Sequence, residues 1–424
     1  MDIYEFNPWW ETGSISREIA SFRRRTIFKD IKDSLGKRRI DVIVGLRRVG
    51  KTVLMHQLIG YLLENGVEPR RILYFSFDLE RKDLKGIISE YEEKVLKGRL
   101  RDERAYLFLD EVHKLEDWEN KVKVLYDLYP EVKIVLSGSA SLNLLRGSRE
   151  SLAGRAKFHY MPPLSFREFL RLSGEAVPGE QEFNIREKRL RILLNRFILR
   201  GFPETISMSD QEAREYVREL VVERVIYRDI PETFGVEDRE IVRLLAEYVF
   251  ENPGVVINVD SLSRDLGRHR RTIRNALAYL ELSFLIAMVS NVRGSFLAES
   301  RKNKRAYPIH PSLAFTRDEG RILETLVRSE LDARHYWRKG ASEVDFVLKN
   351  SSVIPVEVKN KERVDKSDLK GLIKFLKLFN SKLGYLVNMG EERMIELDDK
   401  KIAIVPTLKF ILVTAPSLSV KLSY

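Results

Sequence analysis

Between residues 40 and 161 the chain alternates short, almost wholly apolar runs with longer stretches in which apolar residues recur every three or four positions. The runs are Ile40–Val44, Ile72–Phe77, Ala105–Leu109, Lys133–Leu136 and Phe158–Met161. Runs of this length, flanked by polar segments, suit strands buried on both faces. The stretch from Thr52 to Leu63 has helical spacing. Strands alternating with helices predict an α/β fold on a parallel sheet. The aromatic and basic segment 1–38, with Phe22-Arg-Arg-Arg25, reads as one lead-in helix packed near the glycine loop that follows the first run.

The pattern then changes. Residues 164–235 carry Leu, Arg and Glu at helical spacing and read as a helical lid or linker. Residues 236–315 read as a winged helix-turn-helix. One helix covers Ile241–Phe250, and Asn258–Gly267 supplies a second helix and a glycine turn. A third helix, Arg268–Leu280, has Ile273, Leu277 and Leu280 facing inward, and Arg301-Lys-Asn-Lys-Arg305 suits the wing. From residue 316 a separate small α/β domain is expected. It has a helix at Glu319–Arg334, strands at His335–Arg338, Ser342–Leu348 and Val353–Lys359, a helix at Ser367–Asn380 and a strand at Leu383–Val387. The expected domains are therefore 1–163, 164–235, 236–315 and 316–424.

The loop after the first strand carries the most specific chemistry. Gly45-Leu-Arg-Arg-Val-Gly50-Lys51-Thr52 fits G-x-x-x-x-G-K-[ST] between a strand and a helix. Such a loop curls backbone N–H groups around phosphate oxygens at a helix N-terminus. The cradle comprises Gly45, Arg48, Val49, Gly50, Lys51, Thr52 and Val53. Lys51 can reach the β- and γ-phosphates, and the Thr52 hydroxyl can ligate Mg²⁺. The third apolar run ends in Asp110-Glu111, 58 residues beyond Thr52. Asp110 is expected to hold Mg²⁺, and Glu111 to polarise an attacking water. Ser137 and Ser139, at the tip of the next strand, can sense a γ-phosphate or simply cap a turn. Arg155 can serve as an arginine finger, in its own subunit or from a neighbouring copy, which leaves a homo-oligomer open.

These residues, with Pro163-Leu-Ser-Phe-Arg-Glu-Phe169, Gly201-Phe-Pro-Glu204 and Tyr227-Arg-Asp-Ile230, resemble a family of archaeal and bacterial ATP-binding proteins. Its members join an extended AAA-type ATPase domain to a winged helix and a restriction-endonuclease-like domain. The resemblance covers nearly the whole chain. It implies ATP and Mg²⁺ as cofactors, the ATPase branch with an additional catalytic Glu, and a functional Arg155.

In the last domain, Asp345 on one strand and Glu357-Val-Lys359 on the next resemble the PD-(D/E)xK nuclease arrangement. Residues two apart on a strand share a face, so Glu357 and Lys359 emerge together. Asp345 and Glu357 are candidate metal ligands, Lys359 can orient a water, and Glu324 can add a carboxylate.

Composition adds a partner. The net charge is +11 among 424 residues, and between Val255 and Arg305 ten Lys or Arg face four Asp or Glu. Arg268, Arg270, Arg271 and Arg274 crowd the first half of the presumed recognition helix, the footprint of a DNA contact. The blander view is a heavily charged surface of the kind thermophiles carry. There is no cysteine, which excludes disulfides and Cys-ligated zinc. No signal segment or bilayer-length apolar run is visible, so a cytoplasmic protein with no membrane partner is expected. Three functions compete: an ATPase that controls a DNA-directed C-terminal half, a nuclease gated by a slow ATP switch, and a non-enzymatic DNA-binding regulator.

Overall fold

The computed structural model describes residues 3–80, 82–139, 152–292, 304–349 and 352–418, which form two compact units meeting at Pro162–Pro163. The first unit is built on five parallel strands: β1 Ile40–Gly45, β2 Ile72–Ser76, β3 Tyr106–Asp110, β4 Lys133–Ser139 and β5 Ala156–Tyr160. Their spatial order is β2-β3-β4-β1-β5. The phosphate-loop strand β1 and the acidic strand β3 thus flank β4, and both end on the same edge. Every residue of β1, β2 and β3 is buried, as the unbroken apolar runs require of a sheet covered on both faces.

The lead-in is four short helices, Ile3–Phe6, Trp9–Thr12, Arg17–Ser21 and Ile27–Lys32, not one. Pro8 cannot continue the first, and Gly13, left-handed at φ 70°, ends the second. The break lets this segment cover the edge strand β2. The Asn7 side chain donates to Tyr74 O (2.9 Å) and accepts from Tyr74 N (2.7 Å). The Trp9 and Trp10 indoles both donate to Ile72 O, at 3.1 and 2.9 Å.

A polar network is buried near the start of β1. The Asp41 carboxylate accepts from Ser34 Oγ (2.5 Å) and Lys133 Nζ (2.5 Å), and lies 2.7 Å from His159 Nε2. Burial favours the neutral acid, but His159, Lys133 and Ser34 outweigh it and draw the carboxyl down to about 2.

In the second unit, helices Arg239–Glu251, Val259–Asp265 and Arg270–Leu282 are interleaved with β6 Val255–Val256 and followed by β7 Ile286–Asn291 and β8 Arg305–Pro308. Strand β8 pairs antiparallel with both β6 and β7. Ile273, Leu277 and Leu280 are buried. The helix Glu319–Leu331 leads into β9 His335–Lys339, β10 Ser342–Val344, β11 Phe346–Lys349 and β12 Val353–Val358. After the helix Lys370–Leu378 come β13 Leu383–Asn388, β14 Arg393–Leu397 and β15 Lys400–Pro406.

The single strand expected at Ser342–Leu348 is broken at Asp345. Asp345 Oδ2 accepts the backbone N–H of Val358 (2.9 Å), so the carboxylate takes over a main-chain bond of β12. On either side the strand joins different sheets. One has the order β10-β9-β7-β8-β6, the other β11-β12-β13-β15-β14. Strand β9 pairs parallel with β7, so one sheet runs across residues 315 and 316.

Candidate functional site

The loop between β1 and its helix is held in the shape its motif demands. Gly50 and Arg48 are left-handed (φ 98° and 68°), and a Cβ at Gly45 would lie 2.3 Å from Met161 O. Close approach and positive φ explain why glycine stands at 45 and 50. The buried Arg25 clamps the loop, donating to Val49 O (2.8 Å) and Pro162 O (2.9 Å). Its place in the run Phe22–Arg25 was the only sequence signal for it.

The helix Lys51–Glu64 starts at the loop. Lys51 is buried, and its Nζ donates to Gly45 O (3.1 Å) and Leu46 O (3.2 Å). It also lies 3.8 Å from Glu111 Oε1. Thr52 Oγ1 donates to Asp110 Oδ2 at 2.7 Å. Tyr74 OH donates to the same oxygen at 2.9 Å, and Ser137 Oγ donates to Asp110 Oδ1. Glu111, left-handed at φ 51°, turns back toward Lys51, with His113 Nδ1 at 3.3 Å from its other oxygen. Burial and the Asp110 charge hold the Tyr74 phenol far above its ordinary pKa. Burial holds His56, ring-packed on Tyr74 at 4.5 Å, below its ordinary value.

Lys51, Thr52, Asp110, Glu111 and Ser137 thus converge. A hydroxyl and a carboxylate oxygen already in contact are a fitting donor pair for an octahedral Mg²⁺ beside a triphosphate. Arg48, Val49 and Val53 complete the loop around this point. Ser139 is the last residue of β4, beside Gly45, but its side chain lies outside the described residues. Ser137 is in contact with Asp110.

Arg155 is not brought to this site. It precedes β5, and Ala156 is level with Ile40 at the start of β1. The loop leaves β1 at its other end, five residues and roughly 16 Å away. Arg155 instead donates to both carboxylate oxygens of Asp127, at 3.0 and 3.3 Å. Strand polarity therefore rules out a finger acting on its own subunit's nucleotide.

The second constellation also assembles, around an unexpected centre. Arg305, on β8, donates to Glu343. Its Nη1 lies 3.4 Å from Glu324 Oε1 and 3.6 Å from Asp345 Oδ1. Tyr307 OH donates to Glu324, and Lys359 Nζ donates to Glu357 Oε1 (2.6 Å). Burial, with the Asp345 charge, pushes Glu324 up to about 7 and Glu357 up to about 8. Among the described residues no three acidic or histidine side chains are grouped to hold a metal ion. The Arg305 guanidinium lies among Glu324, Glu343 and Asp345, and Glu357 is paired with Lys359. Glu343 was missed, although Glu343 and Asp345 are two apart. Arg305 had been read as part of the wing.

Of the four helix arginines, Arg268 is paired with Asp238 and Arg270 with Asp260, each at 2.8 Å. Arg271 and Arg274 are exposed and have no ion pair among the described residues. Residues 301–303 of the presumed wing lie outside them. No helix among the described residues is long and apolar enough to cross a membrane.

Comparison with known proteins agrees with the first unit's architecture. Residues 37–170 match the family described as "AAA domain", and 191–317 and 319–410 match two domains of unknown function, DUF8612 and DUF4143. The chain is 30% identical over 421 residues to "Uncharacterized protein MJ1544" of Methanocaldococcus jannaschii, covering 93% of this chain and 92% of that one. It is 27% identical over 341 residues to an uncharacterized protein of Haemophilus influenzae, covering 74% and 80%. Loosely similar solved structures include the Aeropyrum pernix ORC1 protein in complex with DNA (TM-score 0.31, 13% identity, 72% of this chain and 92% of that one). Domain III of the Thermotoga maritima replication initiation protein DnaA is another (TM-score 0.27, 18% identity, 46% and 89%). The first unit is an AAA-type P-loop fold.

Proposed function

The chain belongs to the family of the Methanocaldococcus jannaschii protein MJ1544, and from that premise we propose that it is a Mg²⁺-dependent ATPase whose C-terminal half engages DNA. The observation that carries the reading is the 2.7 Å contact between Thr52 and Asp110, 58 residues apart and on adjoining elements. It joins the two halves of a nucleotide site that the sequence suggests separately.

The residues divide the work. Lys51, parked on the carbonyls of Gly45 and Leu46, turns onto the β- and γ-phosphates when ATP fills the loop. Thr52 and Asp110 would hold Mg²⁺, whose charge offsets that of the phosphates. Ser137 and Tyr74 fix the Asp110 carboxylate. Glu111 orients the attacking water and takes up its proton, and His113 supports the rotamer that aims it. Arg155 has no place in this centre of its own subunit. A finger role for Arg155 therefore requires a neighbouring copy of the chain.

Arg271 and Arg274 support the DNA reading, because exposed guanidinium groups on the third helix of a helix–strand–helix–helix–strand–strand array can meet phosphates or base edges. The C-terminal carboxylates resemble a nuclease centre, but cleavage is not part of this reading, because Asp345 is already paired with the Arg305 guanidinium.

ATP turnover by the wild type, Lys51→Ala and Glu111→Gln tests the assignment. Lys51→Ala should lose nucleotide binding. Glu111→Gln should bind ATP and lose at least about a hundredfold in kcat. Unchanged turnover in Glu111→Gln would refute the role given to that residue.

A further inference from the structure

We propose that Arg305 is the resident cation of the C-terminal carboxylate cluster, and that its guanidinium keeps divalent metal out of the centre. The proposal rests on these carboxylates alone and is independent of the ATPase reading.

Three acidic side chains from three places converge on one guanidinium: Glu324 on the helix Glu319–Leu331, Glu343 on β10, and Asp345 at the break before β11. A planar fork with five donors can divide itself among several carboxylates in fixed directions. Arg305 is held there from other sides as well. Its Cζ lies 4.9 Å over the Tyr336 ring, Tyr307 OH is 3.5 Å from Nη1, and the side chain is only 12% exposed. A second full cation in the same space would meet its charge at close range and with little screening.

A second observation concerns the carboxylate beside Asp345. Glu357 Oε2 is buried and has no hydrogen-bond partner, while its other oxygen receives Lys359. A buried carboxylate oxygen without a hydrogen-bond partner is an acceptor that a cation can satisfy. Arg305 is the one cation that meets Glu324, Glu343 and Asp345 together, while Lys359 reaches Glu357 and the half-exposed Arg338 reaches Glu343. Without Arg305 these three carboxyl groups lose the cation they share. Carboxylates alone select hard cations such as Mg²⁺ and Mn²⁺.

The test is a Mn²⁺ titration of the full, nucleotide-free chain, with free Mn²⁺ followed by electron paramagnetic resonance. Wild type, Arg305→Ala and Arg305→Ala/Asp345→Asn are compared, with far-ultraviolet circular dichroism as the check on folding. Arg305→Ala should bind one Mn²⁺ more per chain, at least about tenfold tighter than any site of the wild type. The double variant should lose that ion, which separates it from any held by Thr52 and Asp110. A folded Arg305→Ala that gains no ion overturns the proposal. If Arg305→Ala does not fold, the wild type and Asp345→Asn decide. A Mn²⁺ bound by the wild type and lost in Asp345→Asn overturns it, and identical titrations of the two support it. Because the readout is metal occupancy, an absence of DNA cleavage or of ATP turnover leaves the result intact.

Discussion

One hydroxyl shows how finely the nucleotide centre is set. Ser137 donates to Asp110 and lies 3.3 Å from the Glu111 backbone N–H, so it touches both acidic residues. Ser137→Ala should therefore lower kcat by about tenfold or more, as losses around a metal ligand do. ATP affinity, measured with a fluorescent analogue, should change much less. An equal loss in both would assign Ser137 to binding instead. Ser137 and Ser139 are two apart and share a strand face, so the sequence left both open as the partner of this centre. The contact of Ser137 with Asp110 follows from the level at which β4 lies against β3, and register between strands is not written in local spacing. Arg155 illustrates the same blindness. Its neighbours in the sequence suit a finger, but the direction of β5 places it at the wrong end of the sheet.

Strand β1 carries its own liability in Asp41, buried between His159 and Lys133. The native carboxyl is drawn down to about 2 from an ordinary 3.8. A lowered acid stabilises the fold above its unfolded pKa and loses that contribution as pH falls through the native one. The Asp41 share, about 2 kcal/mol, is thus intact at pH 7 and vanishes toward pH 2. Asp41→Asn should cost far more stability in urea unfolding at pH 7, where it orphans buried Lys133, than near pH 2. Equal costs at both pH values would contradict the account. Long apolar runs made the five strands of this sheet legible. Elements whose shape depends on distant partners were not: the break at Asp345 exists because Val358 supplies its donor. The hairpin of β14 and β15 was also missed, because β14 is largely exposed and reads as a charged loop, and its turn needs Asp398 at φ 55°.

For the molecule as a whole, the excess of positive charge says less than its placement. Two of the four arginines on the presumed recognition helix are already paired with Asp238 and Asp260, which leaves Arg271 and Arg274 for a polyanion. Arg271→Ala/Arg274→Ala should weaken duplex DNA binding and reduce the slope of log affinity against log salt by about two. Fluorescence anisotropy across a salt series reads both, and an unaltered slope would move the DNA contact elsewhere. The change of hydrophobic periodicity after residue 163 was readable, and the two compact units divide between Pro162 and Pro163. The sheet that joins β7 to β9 was hidden, since that pairing links segments each of which looks self-sufficient. The tryptophan pair at 9 and 10, with Asn7, has one more consequence. A version trimmed to the AAA-like segment from residue 37 would keep the nucleotide residues yet bare an adhesive seam along β2, inviting strands of other copies to zip onto it.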